Sequence, residues 1–581
     1  MTSLERLALA LASGLLWCLV LLAVGARARR LARLPARPGE RQATDFVLGG
    51  WVVGATMLLC GLLGAFRPAV LLLAAGGLAA CGRWKAPVRW RDLAPPGAAC
   101  VVLLPLALAP PFFFYDALVY HLALPWQALQ DGRIAPHPED LFAAFPPLAQ
   151  LVAAAPLAAG LDRVPALLHL ASFVLAGGAL AALARRVGAP SWMAALAGAA
   201  LPLLPALALV PGLPAAEGWL LAALLAALSI ALDPRERPGR AALAGFLLGC
   251  GSAARLQGIA WTLIGIGVLA ASSRRPLRRA AAAAAGAIAG SAPWWLKNLL
   301  LLGSPFAPVG WRREGIETLW RDAGSLMYAA PGAGGLARAL VAALAPHLSY
   351  LLPLSLAALL ALVSGRARPC LLLGAAALAG LLAWGATGTL PRFLAPTLAA
   401  LLALTAAAGR TPAGRWAGGL VLASVTALGM LFTLREVKRL GIVPAGLEGQ
   451  QAAAEAMLSN DPLPVFEAAG LLPADSRALF VGEPRGFPFP RRFVCPSQHD
   501  VSPLRGPLER LPSAEAVRDW LLQQGYTHLL INRGELARLA GRYPVLPWAS
   551  EAGRLRFQEL LDLLAPSVAR AGEAGLFALG P

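Results

Sequence analysis

Asp116 stands where a carboxylate can meet a lipid-borne substrate. In PPFFFYDALVYHLALPWQALQDGRIAP it follows directly on an apolar run, which puts it at the boundary between hydrocarbon and water. Partial desolvation there raises a carboxyl toward the range of a general base. The same position also suits a residue that merely ends a helix. Tyr115, Tyr120 and Trp126 read equally well as an aromatic belt, and His121 as a hydrogen-bonding partner or a structural histidine. A second charge lies deeper. The apolar run 241–271 has GCGSAARLQG at its middle, and a guanidinium at Arg255 demands water or a counter-ion, with Glu217 as a candidate partner. If two short helices meet at Arg255 near the outer leaflet, Arg255, Lys297 and Arg392 could converge on one anionic group. Arginine forks suit the oxygens of a phosphate group. Glu139 and Asp140 read as a solvated pair or an acceptor contact, and His137 beside them lacks a third metal ligand at suitable spacing.

These residues need a membrane-embedded frame. Of the 581 residues, 58% are apolar and only 14% charged, whereas soluble chains carry roughly a quarter charged. Helices are expected at about 7–25, 46–65, 68–82, 95–113, 164–184, 192–210, 214–232, 241–271 (as a broken pair), 280–301, 346–363, 370–386, 393–408 and 416–434. The fold class is a polytopic α-helical membrane protein of about 13–14 transmembrane segments. The net charge of +19 would usually suggest nucleic acid. Here the basic residues fall in alternate connections: Arg27 to Arg41, Arg83 to Arg91, Arg185 and Arg186, Arg235 to Arg240, Arg274 to Arg279, Arg366 and Arg368, and Arg410 with Arg415. That is the positive-inside pattern, so the basic excess reads as a topology signal with no nucleic-acid partner. The run Leu7 to Gly25 carries its basic cluster after it rather than before it, and so reads as a retained helix instead of a cleaved signal.

The opposite side then receives loops 115–163 and 298–346 and the tail 435–581, giving a transmembrane domain over 1–434 and a C-terminal accessory domain. Two strand-like runs, ALFVGE and THLLINR, flank a helical stretch from Ser513 to Gln524, which suggests a small soluble α/β domain on parallel strands. Glu483, Arg485, His499 and Asp500 read as its loop residues. Seven cysteines without paired spacing supply neither a disulfide framework nor a metal site. No GxxxxGK[ST] or GxGxxG element occurs.

YDALVYHLALPWQALQDGRI followed by AAFPPLAQL resembles the first outer loop of the GT-C superfamily of polytopic glycosyltransferases, which includes the lipid A aminoarabinose transferases and protein O-mannosyltransferases. SAPWWLKNLLLLGSPFAPVG, TGTLPRFLAPTLAALLAL and LPAAEGWLLAALLAAL resemble three further elements of that group, in the same order along the chain. The resemblance implies a catalytic Asp116. It implies that Tyr120, His121, Glu217, Arg255, Lys297, Asn298 and Arg392 serve substrate binding. Ala117 stands where the group often has a second acidic residue, and Gln150 where a Glu is common, so a divalent metal has no support and no cofactor is expected.

The expected activity is transfer of a sugar from a polyprenyl-phosphate donor to a glycolipid or protein acceptor, with inversion, on the outer face of the membrane. The expected placement is a cell inner membrane with the tail in the periplasm. A transporter or flippase for lipid-linked sugars, and a catalytically silent scaffold with the same fold, are the alternative readings of the residues.

Overall fold

The computed structural model describes residues 3–82, 90–233, 239–325, 333–365, 368–441 and 460–580. Arg83, Lys85, Arg89, Arg235, Arg237 and Arg366, which the charge pattern uses, lie outside the described residues. Among those described, eight helices are long and apolar enough to cross a membrane. They are joined by shorter apolar helices such as Glu217–Ala231, Arg240–Ala254 and Gly258–Ala271. Proline in the first turn starts Pro38–Leu62, Val164–Arg186, Pro276–Leu302 and Pro412–Arg439, where its missing N–H leaves nothing unsatisfied. Gly303, at φ 67°, ends Pro276–Leu302 in the left-handed conformation.

The break expected at Arg255 is present: Arg240–Ala254 stops, Arg255 is extended (φ −155°, ψ 138°), and Gly258–Ala271 begins. The segment 192–210 departs from a single helix. Ser191–Ala200 gives way to short 3-10 turns at Leu201–Leu203 and Pro205–Leu207, because Pro202 and Pro205 cannot continue the hydrogen-bond ladder. The first outer loop is itself structured, with helices Ala123–Asp131 and Leu148–Ala158.

The segments expected on the outer side gather at one end. The Leu141 amide donates to Asp500, Arg313 pairs with the same carboxylate, and Arg505 meets Glu314 at 2.9 Å. At the opposite end of Pro38–Leu62 and Val164–Arg186, the arginines do more than mark topology. Glu40 and Asp233, both buried, receive Arg186 at 3.3 and 3.1 Å and Arg240 at 3.0 Å each. Arg37 reaches Asp233 at 3.0 Å, Arg29 reaches Asp45 at 2.5 Å, and Arg185 reaches Asp92 at 3.2 Å. Buried acids are thus neutralised across neighbouring helices, a pairing that loop charge counts do not reveal.

The tail holds a five-stranded sheet ordered β2-β1-β3-β5-β4, with β1 Arg477–Val481, β2 Arg492–Val494, β3 His528–Asn532, β4 Ala569–Ala571 and β5 Ala574–Ala578. β1 runs parallel to β2 and β3 as the sequence suggests, with helix Ala514–Gln523 preceding β3. β5 adds antiparallel to β3 and β4, a hairpin that follows turn Gly572 (φ 54°). Leu479, Val481, Leu529 and Ile531 pack one face against Val517, Leu521 and Leu560. Ala478, Phe480 and Leu530 face the other way onto Phe466 and Phe489, with Phe112 and Trp126 of the first outer loop packed against that cluster. Both faces are covered, which accounts for the uninterrupted apolar strands.

Helix Arg240–Ala254 lies against Pro276–Leu302 through two glycine pairs. A Cβ on Gly245 or Gly249 would collide with the carbonyls of Ala283 or Ala287, and one on Gly286 or Gly290 with those of Ala242 or Phe246. Small residues four apart let the backbones approach closely in a bilayer. Gly249→Val should therefore destabilise the bundle by about 1–3 kcal/mol, read as a lower Tm in detergent, while Gly267→Val, which meets open space, should leave it unchanged.

Candidate functional site

Glu217 opens helix Glu217–Ala231, where the dipole of the first turn favours a carboxylate. It is 2% exposed and takes two guanidinium groups: Arg255 Nη1 at 2.8 Å and Arg392 Nε at 3.4 Å from Oε1. Arg255 reaches it because the helix break leaves its side chain free of a turn, and it stacks over the Phe393 ring at 4.7 Å. Arg392 comes from the turn Pro391–Leu394, ahead of helix Ala395–Ala407. Its other nitrogen, Nη2, donates to Asp116 Oδ2 at 2.7 Å. The result is a chain of alternating charge: Arg255, Glu217, Arg392, Asp116. Glu217 is sealed, whereas the Asp116, Arg392 and Arg255 side chains keep 24%, 20% and 11% of their surface open, so these three are the members a ligand can reach.

Asp116 sits just before a single π-helical turn, Ala117–His121. That wide turn brings Tyr120 round so that its hydroxyl donates to Asp116 Oδ2 at 3.0 Å. Burial pushes the Asp116 carboxyl up, but Arg392 and the Tyr120 hydroxyl outweigh it and hold the group below the usual carboxylate range. It is ionised at neutral pH and able to accept a proton. His121 is buried and driven to about 3 by desolvation, so it is a neutral ring beside Asp116, with Nε2 lacking a hydrogen-bond partner.

Lys297 and Asn298 do not join this array. Lys297 Nζ donates to the Ala143 carbonyl, and Asn298 Nδ2 donates to the Ala144 and Ala307 carbonyls at 2.9 Å each. The expected convergence of three cations on one anion is corrected to two, Arg255 and Arg392. The end of Pro276–Leu302 points Lys297 and Asn298 at the turn Leu141–Ala144, whose carbonyls they satisfy. Lys297 lies on the wall of a small, mostly apolar crevice with Leu124, Ile134, Phe145, Leu301 and Leu302.

Three contributors escape a sequence reading. His169 accepts from the Gly218 amide at its Nε2 (3.0 Å), so Nδ1 carries the proton and donates to the Leu213 carbonyl at 2.7 Å; this fixes the entry to the Glu217 helix. Phe114 and Phe393 give Arg392 aromatic neighbours at 5.7 and 5.8 Å. Asp140 and Asp500 form a buried carboxyl pair joining the first outer loop to the tail. The expected solvated role of Asp140 is thereby corrected: its carboxylate turns inward to accept from the Phe142 amide at 2.9 Å. Among the described residues no three His, Cys, Asp or Glu side chains gather in a way that could hold a metal ion.

No family model matches the chain, and no curated protein sequence matches it. Among solved structures, ArnT from Cupriavidus metallidurans bound to undecaprenyl phosphate aligns with a TM-score of 0.51 at 17% identity, over 84% of this chain and 99% of that one. The chain shares the fold of that protein. An oligosaccharyltransferase from Archaeoglobus fulgidus aligns more loosely, at TM-score 0.46 and 13% identity over 77% of this chain and 69% of that one. In this fold the residues singled out in the first loop and at the Glu217 and Arg392 helix starts meet: Arg392 touches Asp116, 276 positions away, and Glu217, about 175 positions away.

Removing Glu217 leaves Arg255 without its counter-ion and facing Arg392, which keeps only Asp116. Glu217→Ala should lower stability by about 3–5 kcal/mol in detergent, and Glu217→Ala/Arg255→Met should lose less than the two single changes summed. A second expectation concerns Asp140 and Asp500. Burial raises both, and the charge of Asp500 raises Asp140 further, while Arg313 and Ser497 limit Asp500 to about 6. The native state therefore binds more protons than the unfolded chain between about pH 4 and about pH 6, and stability from this pair falls as pH rises through that window. Asp140→Asn should flatten the fall in Tm over that range; an unchanged pH profile would contradict the assignment.

Proposed function

We propose that this chain is a membrane glycosyltransferase that moves a sugar from a polyprenyl-phosphate donor to an acceptor hydroxyl on the outer face of the membrane. The observation that carries the reading is the Asp116–Arg392 contact, a carboxylate and a guanidinium held together and both partly open, with Arg255 and Glu217 behind them. Support also comes from the fold shared with ArnT, a protein solved with undecaprenyl phosphate.

In the proposed reaction the donor phosphate enters beside Arg392 and Arg255. Phosphate oxygens then compete with Asp116 for the Arg392 fork, since guanidinium and phosphate match in geometry. Losing that contact removes the strongest cation holding Asp116 down, so its basicity rises as the substrate arrives. Asp116 takes the proton of the acceptor hydroxyl. The oxygen attacks the anomeric carbon, the bond from that carbon to the phosphate oxygen breaks, and the lipid phosphate leaves with the electron pair. A single displacement of this kind inverts the anomeric centre. Arg255 and Arg392 stabilise the charge that develops on the leaving phosphate, usually the largest contribution in such catalysis. Glu217 keeps both guanidinium groups aimed, and the Tyr120 hydroxyl fixes which Asp116 oxygen faces them. The crevice beside Lys297 has the apolar walls that a prenyl chain or an acyl chain requires.

A deletion strain complemented with Asp116→Asn tests this directly. Transfer, read by glycan profiling of lipids and proteins, should fall about 10²-fold or more, with membrane insertion and abundance at wild-type level. Arg392→Lys keeps a charge but loses the fork and should weaken undecaprenyl phosphate binding. Wild-type glycans from Asp116→Asn, together with loss on changing Arg255, would instead indicate transport of the lipid-linked sugar.

A further inference from the structure

The tail sheet changes direction between β1 and β3: the chain leaves β1 for β2 on one side and returns to β3 on the other. In α/β sheets the crevice at the carboxyl ends of such strands is where ligands bind. Here that crevice is built from charge. Glu483, just past β1, accepts from Arg485 Nε at 2.6 Å and Nη2 at 2.7 Å, and from Asn532 Nδ2 at the end of β3 at 2.7 Å. Asn532 caps the next helix, Arg533–Ala540, by accepting from the Glu535 amide at 3.1 Å. Glu483, Arg485, Asn532 and Glu535 are all at most 1% exposed.

The crevice is filled by the membrane domain itself. Tyr115, the residue before Asp116, inserts its ring so that its hydroxyl donates to Glu535 Oε1 at 3.0 Å. The guanidinium groups of Arg538 and Arg485 lie 5.6 and 5.9 Å from the ring centre. Asp116 meets Arg392 and Tyr120 one residue further on, so the backbone between Phe114 and Ala117 is held from the tail through one side chain and from the bundle through the next.

We infer that Glu535 is a positioning residue for Asp116: by holding the Tyr115 hydroxyl it fixes the turn from which the carboxylate reaches Arg392. The inference rests on the reading of Asp116 as general base. Attachment of the tail does not depend on this contact, because Trp126 Nε1 donates to the Phe489 carbonyl at 2.6 Å, Gln127 to the Phe493 carbonyl at 3.0 Å, and the Leu141 amide to Asp500 at 2.9 Å. What the contact adds is the placement of one backbone turn, and small misplacements of a reacting group cost large factors in rate.

The test uses the full chain in detergent and in the complemented deletion strain. Tyr115→Phe keeps the ring and removes the hydroxyl, which donates to Glu535 and accepts from Arg538 Nη2 at 3.4 Å; Glu535→Ala removes the acceptor; Glu535→Gln retains an amide oxygen that can accept. Tyr115→Phe and Glu535→Ala should each lower transfer about tenfold, with undecaprenyl phosphate affinity within about twofold of wild type. Glu535→Gln should recover most of the loss, and Tyr115→Phe/Glu535→Ala should be no worse than either single change. Hydrogen exchange in residues 112–121 should quicken in Tyr115→Phe and Glu535→Ala while the sheet is unaltered. Wild-type transfer from Tyr115→Phe, a loss confined to phosphate affinity, or unaltered exchange in 112–121 would each overturn the inference. Full transfer from Asp116→Asn would fail the reading of the base instead, and the exchange measurement would still decide whether the turn is held by Glu535.

Discussion

Charge at membrane depth must be neutralised, and in this protein one buried carboxylate does so for two guanidinium groups. Glu217 holds Arg255 and Arg392 on the same oxygen, at the junction of a broken helix, a helix start and a proline turn. Without it the two cations would repel each other in a medium that screens poorly. With it, Arg392 has a free edge to offer outward, and Asp116 takes that edge. The helix break at Arg255, the π turn after Asp116 and the His169 contact to the Glu217 helix are the local devices that let four charges line up.

The outer structures form a roof with shared cores rather than a separate module resting on a bundle. Phe112 and Trp126 of the first loop pack on the same face of the tail sheet as Phe489, and Arg313 of the second loop pairs with Asp500 of the tail. The ends of Pro38–Leu62 and Val164–Arg186 away from this roof are tied by Glu40, Asp233 and their arginines. Buried ion pairs thus brace the bundle at one end while the alternating charges Arg255, Glu217, Arg392 and Asp116 line up toward the other.

Much of the candidate site is legible in the residues because charge is scarce among apolar runs. Asp116, Arg255, Glu217 and Arg392 stand out for that reason, and the pairing of Arg255 with Glu217 is one of the two readings their positions allow. Lys297 stands out equally and is misplaced by the same logic: whether a cation reaches a ligand or a backbone carbonyl depends on which turn faces it, here Leu141–Ala144. The parallel core of the tail shows in its two apolar strands and the helix between them. The hairpin β4–β5 does not, since ARA and AGLFA carry little strand signal and are selected by pairing with β3. Tyr115 and Glu535 are about 420 residues apart, and no local pattern joins them.

By itself the sequence determined the membrane-embedded class, the position of the helix break, that the long loops and the tail share one end, and the few ionisable groups set among apolar runs. Those features follow from composition and from periodicity along the chain, which are local. Only the tertiary structure decided which cations meet which anions, which carboxylates turn inward, and that the crevice of the tail closes on the residue before Asp116. Contacts of that kind depend on directions and distances between segments far apart in the chain, and these are set by packing.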